Sequence, residues 1–271
     1  MTVERRSGLA FALMALAALA AAGAGELARQ ADPAGAARLA WSALGVEVML
    51  GAFACAAALL SRGPATRRLG LAAGRLSWGL LTLLAIGMLA LSHALDGVLE
   101  LSGLREHSAL AELPGRLQGA RGEALALALL ALGLAPGIAE ELVCRGLVQR
   151  GLLLRLGPAP AIAAGALLFG ALHLEPVHAA FATVLGAYLG VVAWWADSTR
   201  AAIGCHVVNN LASVGLAATL GPTPWAPELA ASVGGCVALL CLCLVNRARP
   251  RPEASGGGLA RPCPPGGVPD P

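Results

Sequence analysis

The chain has 271 residues, 57% of them hydrophobic and 13% charged, with a mean hydropathy of +0.72. A water-soluble domain needs far more charge to cover its surface, so this composition excludes one and points to an all-α, polytopic integral membrane protein. The formal net charge of +3 comes from arginine without any lysine, too small a balance to imply a nucleic-acid partner.

In chain order, Arg5 and Arg6 precede an unbroken apolar run, Gly8 to Gly25. It resembles a secretory signal peptide, but the many spans that follow make a retained first transmembrane helix the reading adopted. The second span is expected over about Leu39 to Leu60, with Glu47 inside it, and the third over about Leu76 to Leu95. A polar connection then runs from His93 to Glu123. Its Leu95, Val98, Leu99, Leu101 and Leu104 fall at helical spacing, as in a helix lying along the membrane surface, and Pro114 and Gly115 break any single helix through it.

The fourth span starts near Glu123 and runs to Arg155, longer than the hydrocarbon core of about 30 Å, so one end must protrude. Span five is expected over Pro158 to Leu174, six over Pro176 to Trp195, seven over Arg200 to Leu220 and eight over Glu228 to Val245. Arginine-rich connections alternate with acidic or mixed ones, which by the positive-inside rule sets both termini in the cytoplasm. From Pro250 onward the Pro, Gly, Arg and Ser composition has nothing to bury and predicts a disordered cytoplasmic tail. The seven cysteines, six of them scattered through apolar stretches without C-x-x-C spacing, read as small buried apolar residues rather than disulfides or zinc ligands.

Ala139-Glu140-Glu141-Leu142-Val143-Cys144-Arg145 breaks the apolar pattern. A charge at bilayer depth costs about 2.5–3.5 kcal/mol even on lenient scales, so adjacent carboxylates there mark a functional site. Glu141 and Arg145 stand four apart, stacked as an ion pair; Glu140 points about 100° away and is left as the candidate general base. Pro136 either kinks or widens the helix just ahead of the pair or is an ordinary tolerated transmembrane proline.

Phe169 and His173 share one face at the end of span five, and His206 and Asn210 share one face of span seven, an imidazole and a carboxamide suited to an oxyanion. Counting at about 1.5 Å per residue, Glu140, His173 and Asn210 lie roughly 22, 22 and 15 Å from their cytoplasmic helix ends. Three helices thus bring polar groups to similar depth. Glu47 is a further candidate for the same cavity, while Glu175 and His178 read as solvated turn residues.

Glu140-Glu141-x-x-x-Arg145, Phe169-x-x-x-His173 and His206-x-x-x-Asn210, in this order and membrane context, resemble the CAAX-processing and bacteriocin-processing (CPBP) intramembrane proteases. The resemblance covers about Glu123 to Leu220. The apolar runs make about eight transmembrane helices, with residues 1–122 as N-terminal helices and connection, 123–246 as the core that carries the motifs and 247–271 as tail; the resemblance implies that this core is a protease with an intramembrane active-site cavity. It also implies endopeptidase activity on a membrane-associated or lipidated protein or peptide at the bilayer, in a prokaryotic inner membrane by the look of the composition.

Carried onto these residues, Glu140 with His173 activates the attacking water, His206 with Asn210 stabilises the oxyanion, and Glu141 with Arg145 braces the site. Two mechanisms stay open: a metal-free glutamate mechanism, preferred here, and a zinc site of Glu140, His173 and His206, since the family has also been described as metalloproteases. From another function class, an immunity factor or proton-coupled transporter would use the same buried charges without proteolysis.

Overall fold

The computed structural model describes residues 36–61, 63–221 and 226–250. The expected first span and the tail from residue 251 lie outside them. Within the described residues the chain is helical throughout, with no strand.

Helix α1 covers Ala36–Leu59 and the short α2 covers Ala65–Arg68. Helix α3 runs Trp78–Leu101, longer than expected. The apolar spacing of Leu95 to Leu101, read above as part of a surface helix, belongs to the last turns of this membrane helix. Two 3-10 turns, Leu104–His107 and Ala109–Ala111, and the short α4, Leu113–Leu117, make the connection. No single helix runs through the connection, as expected; Pro114 and Gly115 sit inside the short α4, where proline is tolerated in a first turn because its missing N–H has no partner to lose.

Helix α5 is the long one, Gly122–Leu156. Then come α6, Pro158–Ala171; α7, Pro176–Ala196; α8, Thr199–Leu220; and α9, Pro227–Ala248. Six of these helices are long and apolar enough to cross a membrane: α1, α3, α5, α7, α8 and α9. Helix α6, with 14 residues, is shorter than the length expected of span five. The expected total of eight therefore corresponds to six full-length helices, the short α6 and a segment outside the described residues. The chain is a multi-pass membrane protein.

Small residues let the helices approach closely, which is how helices associate where lipid is as apolar as the side chains. A Cβ on Gly97 would stand 2.5 Å from the Pro227 carbonyl oxygen, and one on Gly234 the same distance from that of Ala90, so α3 and α9 touch backbone to backbone. Gly186 lies against Ala166 and Phe169 in the same way, joining α7 to α6. The outward faces stay apolar, with Trp41, Trp78, Leu154, Leu167 and Leu239 all exposed, as lipid contact requires. Of the cysteines, Cys144, Cys205 and Cys241 are buried as expected, whereas Cys55, Cys236 and Cys243 sit on exposed faces, and all six are free thiols.

One end of the bundle is knit by arginine. Arg75 pairs with Asp197 at 2.7 Å, Arg150 reaches the same carboxylate at 3.4 Å, and the Arg249 guanidinium lies over the Trp194 and Trp195 rings. The site lies toward the other end.

Candidate active site

Helix α5 does not keep one winding. Leu129–Leu134 is π-helical, Ala135–Glu141 is α-helical and Leu142–Gln149 is π-helical again. Pro136 offers no N–H to the Leu132 carbonyl, and the wide turn immediately before it accommodates that loss. The widening alternative for this proline therefore holds. The seven-residue α segment between the wide stretches carries both carboxylates.

Behind the cavity wall, Arg145 Nη1 donates to Glu141 Oε1 at 2.6 Å, with both side chains fully buried. Arg145 Nη2 donates to the Gly186 carbonyl at 2.6 Å, and one turn on Gln149 Nε2 donates to the Gly190 carbonyl at 2.8 Å. These bonds fix the rotation of α5 against α7. The guanidinium also lies 4.6 Å over the Phe169 ring centroid, so Phe169 covers the ion pair and screens it from the cavity.

Glu141 has a second partner that helical spacing alone does not reveal. His206 Nδ1 stands 3.0 Å from Glu141 Oε1, and Asn210 Nδ2 stands 3.1 Å from His206 Nε2. Asn209 Nδ2 donates to Asn210 Oδ1 at 3.2 Å, which turns the Asn210 amide so that its nitrogen faces the imidazole. A carboxylate only accepts, so Nδ1 of His206 carries hydrogen and Nε2 accepts from Asn210. The result is a one-way chain of donors from Asn209 through Asn210 and His206 to Glu141.

Glu140 faces the other way, as its phase requires. It lines a cavity of about 350 Å³ together with Glu47, His173, His206, Asn209 and Asn210. Its Oε2 is 3.9 Å from His206 Nε2, too long for a hydrogen bond and short enough for charge interaction. Glu141 and Arg145 are absent from that lining, so the two neighbouring carboxylates are divided between the cavity and the brace behind it.

His173 departs from the expected placement. It lies beyond the end of α6, in a turn closed by its own N–H to the Gly170 carbonyl and by Leu174 at φ 57°. Its Nδ1 is 2.9 Å from the Phe169 carbonyl oxygen. That oxygen only accepts, so Nδ1 carries the hydrogen and the lone pair of Nε2 is left for the cavity. The expected direct pairing of Glu140 with His173 is not among the hydrogen bonds of the described residues; the two meet as walls of one cavity.

Other wall residues change the reading of the turn after α6. His178 packs against His173 at 4.2 Å between ring centroids, the rings tilted by 60°, and lines the cavity. Glu175 caps α7, accepting from the Val177 and His178 amides at 2.7 and 3.0 Å and from Ser108 Oγ at 2.6 Å. An acid just before a first-turn proline is a helix-start signature, so this capping was legible; the reach to Ser108 was not. Glu47 lines the cavity from α1, with Gly51 one turn on against Ala139, and lies within electrostatic reach of Glu140. The lining also takes in Asp96 and Arg105, paired at 2.6 Å.

The donor set does not fit a zinc ion as it stands. Among the described residues no three His, Cys, Asp or Glu side chains converge as metal ligands. Both ring nitrogens of His206 are already engaged, one by Glu141 and the other by Asn210.

Residues 122–212 match the family model described as Rce1-like, type II CAAX prenyl endopeptidase Rce1-like. The match covers about a third of the chain, from the start of α5 to just past Asn210, and agrees with the CPBP resemblance. No curated protein and no solved structure matches the chain.

Proposed function

Because residues 122–212 carry an Rce1-like endopeptidase domain, we propose that the protein is an intramembrane endopeptidase that hydrolyses a peptide bond with a glutamate-activated water. The observation that carries this reading is the division of labour at Glu140 and Glu141. One carboxylate opens on a 350 Å³ cavity that His173, His178, His206, Asn209 and Asn210 also line, while its neighbour is committed to Arg145 and His206.

Glu140 takes a proton from water, assisted by the free Nε2 lone pair of His173, and the oxygen attacks the scissile carbonyl. The tetrahedral oxyanion takes hydrogen bonds from Asn210 Nδ2, which moves off His206 Nε2 as charge develops. Glu141, accepting from His206 Nδ1, holds the imidazole in place beside the Asn210 amide. The proton held by Glu140 passes to the leaving nitrogen as the C–N bond breaks. The substrate is a membrane-associated or lipidated peptide or protein, and the host membrane a prokaryotic inner membrane.

The test uses purified protein in proteoliposomes with fluorogenic lipidated and membrane-anchored peptides. Cleavage by wild type, lost in Glu140→Gln and His173→Ala while both variants melt like wild type, is the expected result; unchanged cleavage in both overturns the assignment. Activity is expected to survive a chelator. Stoichiometric zinc lost together with activity would overturn the metal-free mechanism.

A further inference from the structure

Charge is distributed unequally between the two ends of the bundle. At the end where α5 terminates and α6 begins, Arg67, Arg68, Arg75, Arg150, Arg155, Arg200, Arg247 and Arg249 stand against Asp197, the sole acid there among the described residues. At the opposite end, Arg105, Arg116 and Arg121 stand against Asp96, Glu100, Glu106, Glu112, Glu123, Glu175 and Glu228. All of these arginines lie at helix ends or in short connections, where the positive-inside bias operates.

The cavity belongs to one end only. Helix α1 contributes Ala43 and Glu47 from its first half, α3 contributes Ser92 to Asp96 from its second, and α5 contributes Ala131 to Glu140 from its first. The α7 wall begins at His178, and the α8 wall runs from His206 out to Leu220 and Gly221. The connection between α3 and α5 lines it too, at Arg105, Leu113 and Leu117. None of its lining comes from the arginine-rich end; it begins at mid-depth with Glu140 and His206 and extends to residues of the acidic end, Asp96, Arg105 and Gly221.

We infer that the cavity opens on the non-cytoplasmic face of the membrane. Its substrates are then polypeptide segments presented there, exported or held in the outer leaflet, and not cytoplasmic C-termini. The word substrate rests on the proposed peptidase function; the direction of opening rests on charge placement and cavity walls alone.

Cysteine labelling tests the direction without any substrate. Ser92→Cys reports the cavity wall, Glu100→Cys the acidic end and Arg155→Cys the arginine-rich end, each read as the increase over the unsubstituted protein. Spheroplasts of an expressing bacterial host are treated with a membrane-impermeant maleimide before and after permeabilisation. The expected result is full labelling of Ser92→Cys and Glu100→Cys in intact spheroplasts and labelling of Arg155→Cys only after permeabilisation.

Labelling of Arg155→Cys from outside, or of Glu100→Cys only from inside, overturns the orientation. Labelling of Glu100→Cys from outside with Ser92→Cys silent overturns the opening. Neither failure touches the chemistry, which is read separately by Glu140→Gln in proteoliposomes.

Discussion

At the scale of single residues, Arg145 is the most heavily committed side chain of the site, bound to Glu141, the Gly186 carbonyl and the Phe169 face at once. Removing one partner of a buried ion pair strands the other charge, which typically costs about 3–5 kcal/mol. Arg145→Leu should therefore lower the melting temperature in detergent sharply. Adding Glu141→Gln to that variant should restore part of the loss, since no uncompensated charge then remains. The pairing was legible because spacing of four fixes neighbours along one helix. The bond from Glu141 to His206 was not, because it crosses from α5 to α8 and depends on how those helices pack. His178 was missed for a related reason: a histidine two residues after a proline reads as a turn residue until α6 ends early and lays its last turn over the cavity.

At the scale of elements, the site depends on how closely α5 and α8 approach. A Cβ on Gly137 would stand 2.6 Å from Val207 Cγ2 and 3.0 Å from the Val207 backbone nitrogen. The side chain could rotate away, but the backbone atom leaves no room. Gly137→Ala should push the helices apart at the level of Glu140 and His206, costing about 1–3 kcal/mol in stability and lowering kcat more than KM, as paired melting and kinetic measurements will tell. The cap of α7 makes a smaller contribution. Glu175→Ala should cost about 0.5–2 kcal/mol and, by releasing Ser108, loosen the connection over the cavity, read as faster amide exchange in residues 104–111. Most helix limits could be read from apolar runs and prolines to within two or three residues. The π-helical stretches of α5 could not, since a wide turn has no composition of its own and reflects Pro136 together with packing on both sides.

At the scale of the whole molecule, the all-helical, multi-pass architecture followed from composition, because in hydrocarbon only a helix or a closed barrel satisfies every backbone group. The depth agreement of Glu140, His173 and Asn210 also carried into one cavity. What sequence did not convey was the shortness of α6, since the apolar run continues past Ala171 and only the left-handed Leu174 marks the turn. Fourteen residues reach about 21 Å at 1.5 Å per residue, well under a hydrocarbon thickness of about 30 Å. Leu167 on this helix faces outward, so a bilayer of full thickness meets a mismatch beside the His173 turn, of the kind that lipid relieves by thinning. Thinning there would draw headgroups and water toward the depth of Glu140 and His173, and would make the bilayer itself part of the route by which water reaches the proposed catalytic groups. Reconstituted in phosphatidylcholines of increasing acyl length, the protein should cleave its peptides more slowly as the membrane thickens, with the same decline absent in detergent micelles.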